Sequence, residues 1–282
     1  MSLIYHYCDA DVFLSMIKGD KLWLSSLYYT NDTGELEYFR KLAIPALHKA
    51  VLQRNMYSSA NLDLQNGLND PRYYNASFSG NGDDLYQWQA YGKRGKGFAI
   101  GFDPELLCDR SWPFAFIDGI GTIQAPLQSA SRQSMGVVPV RYASPEQLLG
   151  YVNVLVEFAL NEITDDFLGI AQLISVVQMI SATTKSNVFE AEKETRLLYY
   201  PTITYPFDSN EAQVEYEIGP RLWRNGVHGF TPYFEYPNIR QAIKRVVLGP
   251  SCSIKDDKNF HDFLWAHGMI EIDIASSKAT LR

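Results

Sequence analysis

The chain has 282 residues, 46% hydrophobic and 20% charged, with a formal net charge of −7. That suits a globular protein with a sizeable core and excludes a non-specific grip on nucleic acid, which depends on cations releasing counterions from phosphates. Cys8, Cys108 and Cys252 form no CxxC pair and no Cys/His ligand spacing, which excludes a disulfide framework and a zinc site, so no metal is expected.

Leu3 to Tyr7 reads as an opening strand. Asp9 then caps a helix whose Val12, Phe13, Met16 and Ile17 make one apolar stripe, closed by Gly19. Lys21 to Ser26 alternates as a second strand. Asp32 or Thr33 caps a helix carrying Leu36, Phe39 and Leu42, with Pro45 inside it. Asn55 to Arg72 is polar and loop-like, and Tyr74 to Ser79 returns to strand. Asp83-Asp84 opens a short helix bearing Leu85, Trp88 and Tyr91, ended by Gly92. Gly95-Lys96-Gly97 leads into the apolar strand Phe98 to Phe102. Ser111 to Gln133 is loop, and Pro139 marks Val137 to Tyr142 as an edge strand.

The span 145–184 is the longest helical segment, a hairpin breaking near Asp165-Asp166 and inserted in a single domain over 1–282. Pro201 to Tyr236 reads as irregular and aromatic. Ile243 to Leu248 is a late strand stopped by Gly249-Pro250, followed by a helix from Asn259 to His267 and a strand from Met269 to Ile274. Strands and helices without strict βαβ order predict an α+β fold, a mixed and mostly antiparallel sheet flanked by helices. The first residues lack a basic and apolar leader, and Phe167 to Ile180 is too short and interrupted to span a bilayer, so no membrane partner and a cytoplasmic location are expected.

The chemistry is expected around Phe189 to Tyr200. As a regular strand this stretch puts Glu190, Glu192, Glu194 and Arg196 on one face, a costly row unless it opens into a cleft. Glu192 and Glu194 side by side would resist joint ionisation and so suit acid–base work, while an internal Glu–Arg pair is the structural alternative. Gly-x-Ser-x-Gly, Walker and His-Glu-x-x-His patterns are absent, and Ala191 stands where a Glu-x-Lys nuclease spacing would need an acid.

Several motifs in order carry a family resemblance: Tyr5-His6-Tyr7, Leu22-Trp23-Leu24-Ser25, Asn31-Asp32, Phe78-Ser79, Trp88 with Tyr91, Gly95-Lys96-Gly97, Glu192-x-Glu194-x-Arg196 and Leu248-Gly249-Pro250. The chain resembles the bacterial family catalogued as domain of unknown function 2971. It departs from that family at Thr195, usually aromatic, and at Thr280, usually proline. The family brings no established activity.

The layout is also similar to that of ADP-ribosyltransferases, in which a first-strand His or Arg holds the ribose of NAD, a central Ser or aromatic supports the nicotinamide and a late-strand Glu is catalytic. That resemblance implies Glu194 as catalytic and His6, Ser77 and Ser79 as substrate-binding residues; the residues themselves add Glu192 as a second catalytic acid and Trp88, Tyr91, Lys96 and Arg196 as substrate contacts. NAD would be a substrate, no cofactor would be needed, and a toxin or phage-defence effector would be the biological setting. Trp88 and Tyr91 would stack on the ligand if they are not core, and Gly95-Lys96-Gly97 would meet a phosphate if it is more than a turn. The alternative is a non-catalytic ligand- or protein-binding module in which the Glu–Arg strand is structural.

Overall fold

The computed structural model describes residues 2–29, 34–55, 73–108, 135–163, 167–204, 213–215, 218–226 and 229–280. The first three elements are β1 (Ile4–Cys8), α1 (Ala10–Gly19) and β2 (Lys21–Ser26). Asp9 caps α1, its carboxylate accepting from the Val12 amide at 2.9 Å. The helix ends one residue later than its glycine implies: Asp20 takes the left-handed conformation (φ 53°), and its carboxylate accepts from the Arg240 amide at 2.8 Å.

α2 (Glu35–Gln53) continues through Pro45, and the caps expected at Asp32 or Thr33 lie outside the described residues. So do the loop expected at Ser111 to Gln133 and all but Asn55 of the one expected at Asn55 to Arg72. Next come β3 (Tyr74–Ser79), α3 (Leu85–Ala90, capped by Asp84), β4 (Phe98–Phe102) and the short α4 (Pro104–Leu107). β5 (Met135–Pro139) and β6 (Arg141–Ala143) precede the helices α5 (Pro145–Asn161) and α6 (Phe167–Thr183). β7 (Thr184–Ser186) enters a 3₁₀ turn over Asn187–Glu192 that delivers β8 (Glu194–Tyr199).

The aromatic segment expected to be irregular contains β9 (Thr202–Thr204), β10 (Gln213–Glu215) and a hairpin of β11 (Leu222–Gly226) and β12 (Gly229–Pro237). β9 and β10 alternate but are only three residues long, too short for a pattern to stand out, and the β11–β12 hairpin does not alternate between apolar and polar. β13 (Ile243–Leu248), α7 (Lys258–Ala266) and β14 (Asp273–Ser276) complete the described chain, the last strand displaced toward the C-terminus from its expected span. No helix among the described residues is long and apolar enough to cross a membrane.

A ten-stranded sheet follows the path β11-β12-β2-β3-β1-β4-β13-β14, with β8 joined to β3 and β5 joined to β8. All its pairings are antiparallel except β13 with β14, so the fold is α+β. Among the described residues β5, bearing Pro139, pairs only with β8 and so lies at the sheet edge, as its proline requires. The two sheet faces carry separate cores. One packs Phe13, Phe98, Phe102, Leu197, Tyr199, Phe234 and Phe260 beneath α1 and α7. On the other, α5 and α6 pack with α2 over Val138 and Leu198.

Every residue from 74 to 79 on β3 pairs with β8 along one edge. The opposite edge is shared: β2 pairs at Asn75 and Tyr74, and β1 pairs at Ser79. Among the described residues, 76–78 therefore have no strand partner on that side, and the sheet forks there.

The segment Gly95-Lys96-Gly97 and the turn Gly249-Pro250 form a joint made of backbone. The Gly249 amide donates to the Gly97 carbonyl at 2.9 Å and the Ser251 amide to the Gly95 carbonyl at 2.8 Å. A Cβ on Gly97 would fall 2.0 Å from the Cys8 carbonyl oxygen, and one on Gly249 would fall 2.3 Å from that of Gly95. Gly150, within α5, has nothing within 4 Å of its would-be Cβ. Gly97→Ala should therefore cost about 2–3 kcal/mol by overpacking, whereas Gly150→Ala should stabilise by about 0.5–1 kcal/mol. Urea unfolding of the two variants beside the wild type checks both signs.

Candidate functional site

The fork opens into a cleft of about 440 Å³. Its floor is set by register. Tyr5 on β1 faces Ser79 on β3, and Ser79 faces Glu194 on β8, so these three side chains form one row across three strands. One step along, Ser77 faces Arg196. Tyr5, His6, Ser77, Ser79, Tyr91, Glu192, Glu194 and Arg196 all line the cleft, so the early-strand imidazole and the acidic stretch converge on one hollow. Tyr86 and Gln87 of α3, Phe189 of the 3₁₀ turn and Lys185 of β7 wall it further.

His6 lies one residue from the row, and strand alternation turns its ring toward Phe78, 5.8 Å between centroids and edge-on. Its Nδ1 is 3.0 Å from the Ser77 carbonyl oxygen, in the gap that β1 and β2 leave on β3. A carbonyl only accepts, so Nδ1 carries the proton and Nε2 of the neutral ring is the acceptor. Burial pushes the imidazole below its ordinary value of 6.5, against the opposing effect of that carbonyl.

The acidic stretch differs from the regular strand read from the sequence. Residues Asn187–Glu192 form a 3₁₀ turn and Lys193 is left-handed (φ 46°), so β8 begins only at Glu194. Glu190 is exposed on the turn and takes no place in a row with the others. Because the left-handed residue swings the chain, Glu192 and Glu194 meet around one ammonium instead of along a strand. Lys185 Nζ lies 2.9 Å from Glu192 Oε2 and 2.7 Å from Glu194 Oε2. Arg196, 1% exposed, donates Nε to Glu194 Oε1 at 2.8 Å and Nη2 to Oε2 at 3.1 Å, while Nη1 donates to the Ala182 carbonyl at 2.6 Å.

Two cations and two carboxylates thus share a nearly dry corner. Burial raises the Glu194 carboxyl above its usual range while Lys185 pulls it back. Burial alone would lower the Lys185 ammonium, but Glu194 and Glu192 together hold it above its ordinary value. Burial pushes the Arg196 guanidinium down to about 9, which leaves it cationic at neutral pH. Ser79 Oγ donates to the Glu192 carbonyl at 3.0 Å, fixing the turn to β3, and the Glu194 amide donates to the Tyr142 hydroxyl at 2.7 Å. Burial raises the phenols of Tyr91 and Tyr142 to about 12.

Two expected ligand contacts are elsewhere. Trp88 is fully buried beneath Tyr7, 4.7 Å between ring centroids, and its Nε1 donates to Asp83 Oδ1 at 2.7 Å, so only Tyr91 of that pair reaches the cleft. Tyr91 caps α3 instead of continuing it, which separates the two rings. Lys96 is exposed in the glycine joint and does not line the cleft. Asp83 also accepts from Ser277 Oγ and from the Lys278 amide, tying residues 277–279 to the start of α3.

Sequence reasoning passed over Tyr5, Trp23, Ser25, Lys185 and Arg224, all lining residues. Tyr5 was findable as the neighbour of His6 on the opposite face. Lys185 lies beyond a helix end and carries no local signal. Among the described residues no group of three His, Cys, Asp or Glu side chains is disposed to hold a metal ion.

Arg196→Met strips Glu194 of its bidentate partner in a buried corner and should cost about 3–5 kcal/mol of stability, measured by chemical unfolding. For His6, the unfolded imidazole takes up a proton near 6.5 that the folded ring resists, so stability falls as pH drops through that value. His6→Gln should lose less stability than the wild type between pH 7.5 and 5.5, as read by unfolding midpoints at the two pH values.

No curated protein and no solved structure matches the chain. Residues 87–197, which carry the end of α3, the Gly95-Lys96-Gly97 segment, β4 to β7 and the Glu192-x-Glu194-x-Arg196 corner, match the model of the family described as protein of unknown function, DUF2971.

Proposed function

We propose that the chain is an ADP-ribosyltransferase-like enzyme that consumes NAD. The observation that carries this reading is the cross-strand row of Tyr5, Ser79 and Glu194 on the floor of an aromatic-walled cleft, with His6 beside it. First, middle and late strands supply the row in the order that such enzymes use, with Glu194 anchoring its late end and Glu192, on the 3₁₀ turn just before that strand, bringing a second carboxylate beside it. Tyr86, Tyr91 and Phe189 offer rings for flat heterocycles, and the Ser77 hydroxyl and Gln87 amide offer polar partners for a carboxamide or ribose.

In the reaction, the bond between C1′ of the ribose and the nicotinamide nitrogen breaks, and its electron pair leaves with the neutral nicotinamide. The developing positive charge on C1′ is stabilised by a nearby carboxylate. An acceptor hydroxyl or water then bonds to C1′ and gives up its proton to a carboxylate or to solvent. Glu192 suits these tasks best: one of its oxygens meets Lys185, and it makes no pair with a second cation among the described residues. Glu194, with both oxygens on cations, holds Lys185 and Arg196 in place and lends C1′ less unbalanced charge. A bacterial toxin or phage-defence effector is the setting that fits such an enzyme.

One observation favours a second reading, a non-catalytic binding module: the Glu194–Arg196 pair and its bond to the Ala182 carbonyl already have a structural use, fastening β8 to the end of α6. Nicotinamide release from NAD by purified protein separates the two. The enzyme reading expects release by the wild type and a loss of about a hundredfold in Glu192→Gln, with Glu194→Gln losing both rate and stability. NAD bound in calorimetry without any release would favour the module, and neither binding nor release would end the NAD reading.

A further inference from the structure

At the β8 end of the cleft the charges balance, Lys185 and Arg196 against Glu192 and Glu194. At the β2 end they do not. Arg224 on the edge strand β11 lines the cleft there, and its Nη2 donates to Ser25 Oγ at 3.0 Å. Its guanidinium lies 5.8 Å from the centroid of the Trp23 ring, which in turn packs 5.1 Å from Tyr233. Register explains the grouping: Leu222 faces Tyr233 and Tyr233 faces Ser25, so Arg224, two residues along β11 from Leu222, shares their side of the sheet. Among the described residues Arg224 has no carboxylate in ion-pair reach. An exposed arginine on the rim of a polar cleft, steadied by a hydroxyl and an indole and lacking a counter-ion among the described residues, is built to meet an anion.

We infer that Arg224, held by Ser25 and Trp23, is the phosphate contact of a nucleoside diphosphate whose ribose points toward Glu192. The planar guanidinium takes two phosphate oxygens at once. The aromatic, hydroxyl and amide lining between the two ends accommodates a base and sugar, which a bare inorganic anion would leave unused. The inference deepens the NAD reading by fixing which way the substrate lies, but its test needs no turnover.

The experiment is calorimetric binding of ADP and of adenosine to the full chain and to Arg224→Gln and Arg224→Lys. The wild type should bind ADP at least about tenfold more tightly than adenosine. Arg224→Gln should remove that preference and leave adenosine binding unchanged, and Arg224→Lys should keep part of it. Unchanged adenosine binding also reports that the variant is folded. The inference is overturned if the wild type shows no preference for ADP or binds neither probe. It is equally overturned if Arg224→Gln keeps the preference or weakens both ligands alike. An Arg224-dependent preference for ADP together with no nicotinamide release would leave the phosphate contact standing and remove the enzyme reading.

Discussion

A backbone carbonyl in a sheet interior needs a donor, and the fork at β3 leaves one without a strand to supply it. His6 supplies the donor from its side chain, Nδ1 to the Ser77 carbonyl oxygen at 3.0 Å. That substitution lets β1 and β2 part company along β3 while the sheet stays continuous through β8 on the other edge. The parting makes the hollow. Tyr5, Ser79 and Glu194 then line up on its floor through ordinary antiparallel register, and the aromatics of α3 and the 3₁₀ turn close its sides.

The second constraint is electrostatic. A buried guanidinium is tolerable only with its donors satisfied, and Arg196 has them met by both oxygens of Glu194 and by the Ala182 carbonyl. Lys185 joins from β7, where it faces Tyr142 in the small parallel pair β6–β7, so the α5–α6 hairpin, the 3₁₀ turn and the main sheet are all fastened at one corner. The same corner borders the cleft, so structural and chemical demands fall on the same residues. Glu192 is the member with capacity left over.

Much of this was legible in the sequence, and the gaps have physical causes. The helix caps at Asp9 and Asp84, the helical hairpin, the edge character that Pro139 imposes and the α+β class follow from local rules. The meeting of His6 with Glu194 followed from the order of motifs, not from their spacing. The regular strand through Glu190 did not survive because period-two logic assumes extended backbone, and Lys193 leaves it. Trp88 and Tyr91 were open to a core or a ligand-stacking reading alike, because helical spacing does not show that Tyr7 covers only the first of them. Arg224 sits on a hairpin without apolar alternation, where pattern reading has no purchase.

The glycine joint has a bearing on how such a cleft can diversify. Between the segment that follows α3 and the Gly249 turn, carbonyl and amide meet directly, with no side chain acting as a spacer. The wall that bears Tyr86, Gln87 and Tyr91 is thus seated by atoms common to every amino acid, provided the glycines stay. Descendants of this chain are free to exchange those three lining residues, and with them the ligand, while the seat itself remains unaltered.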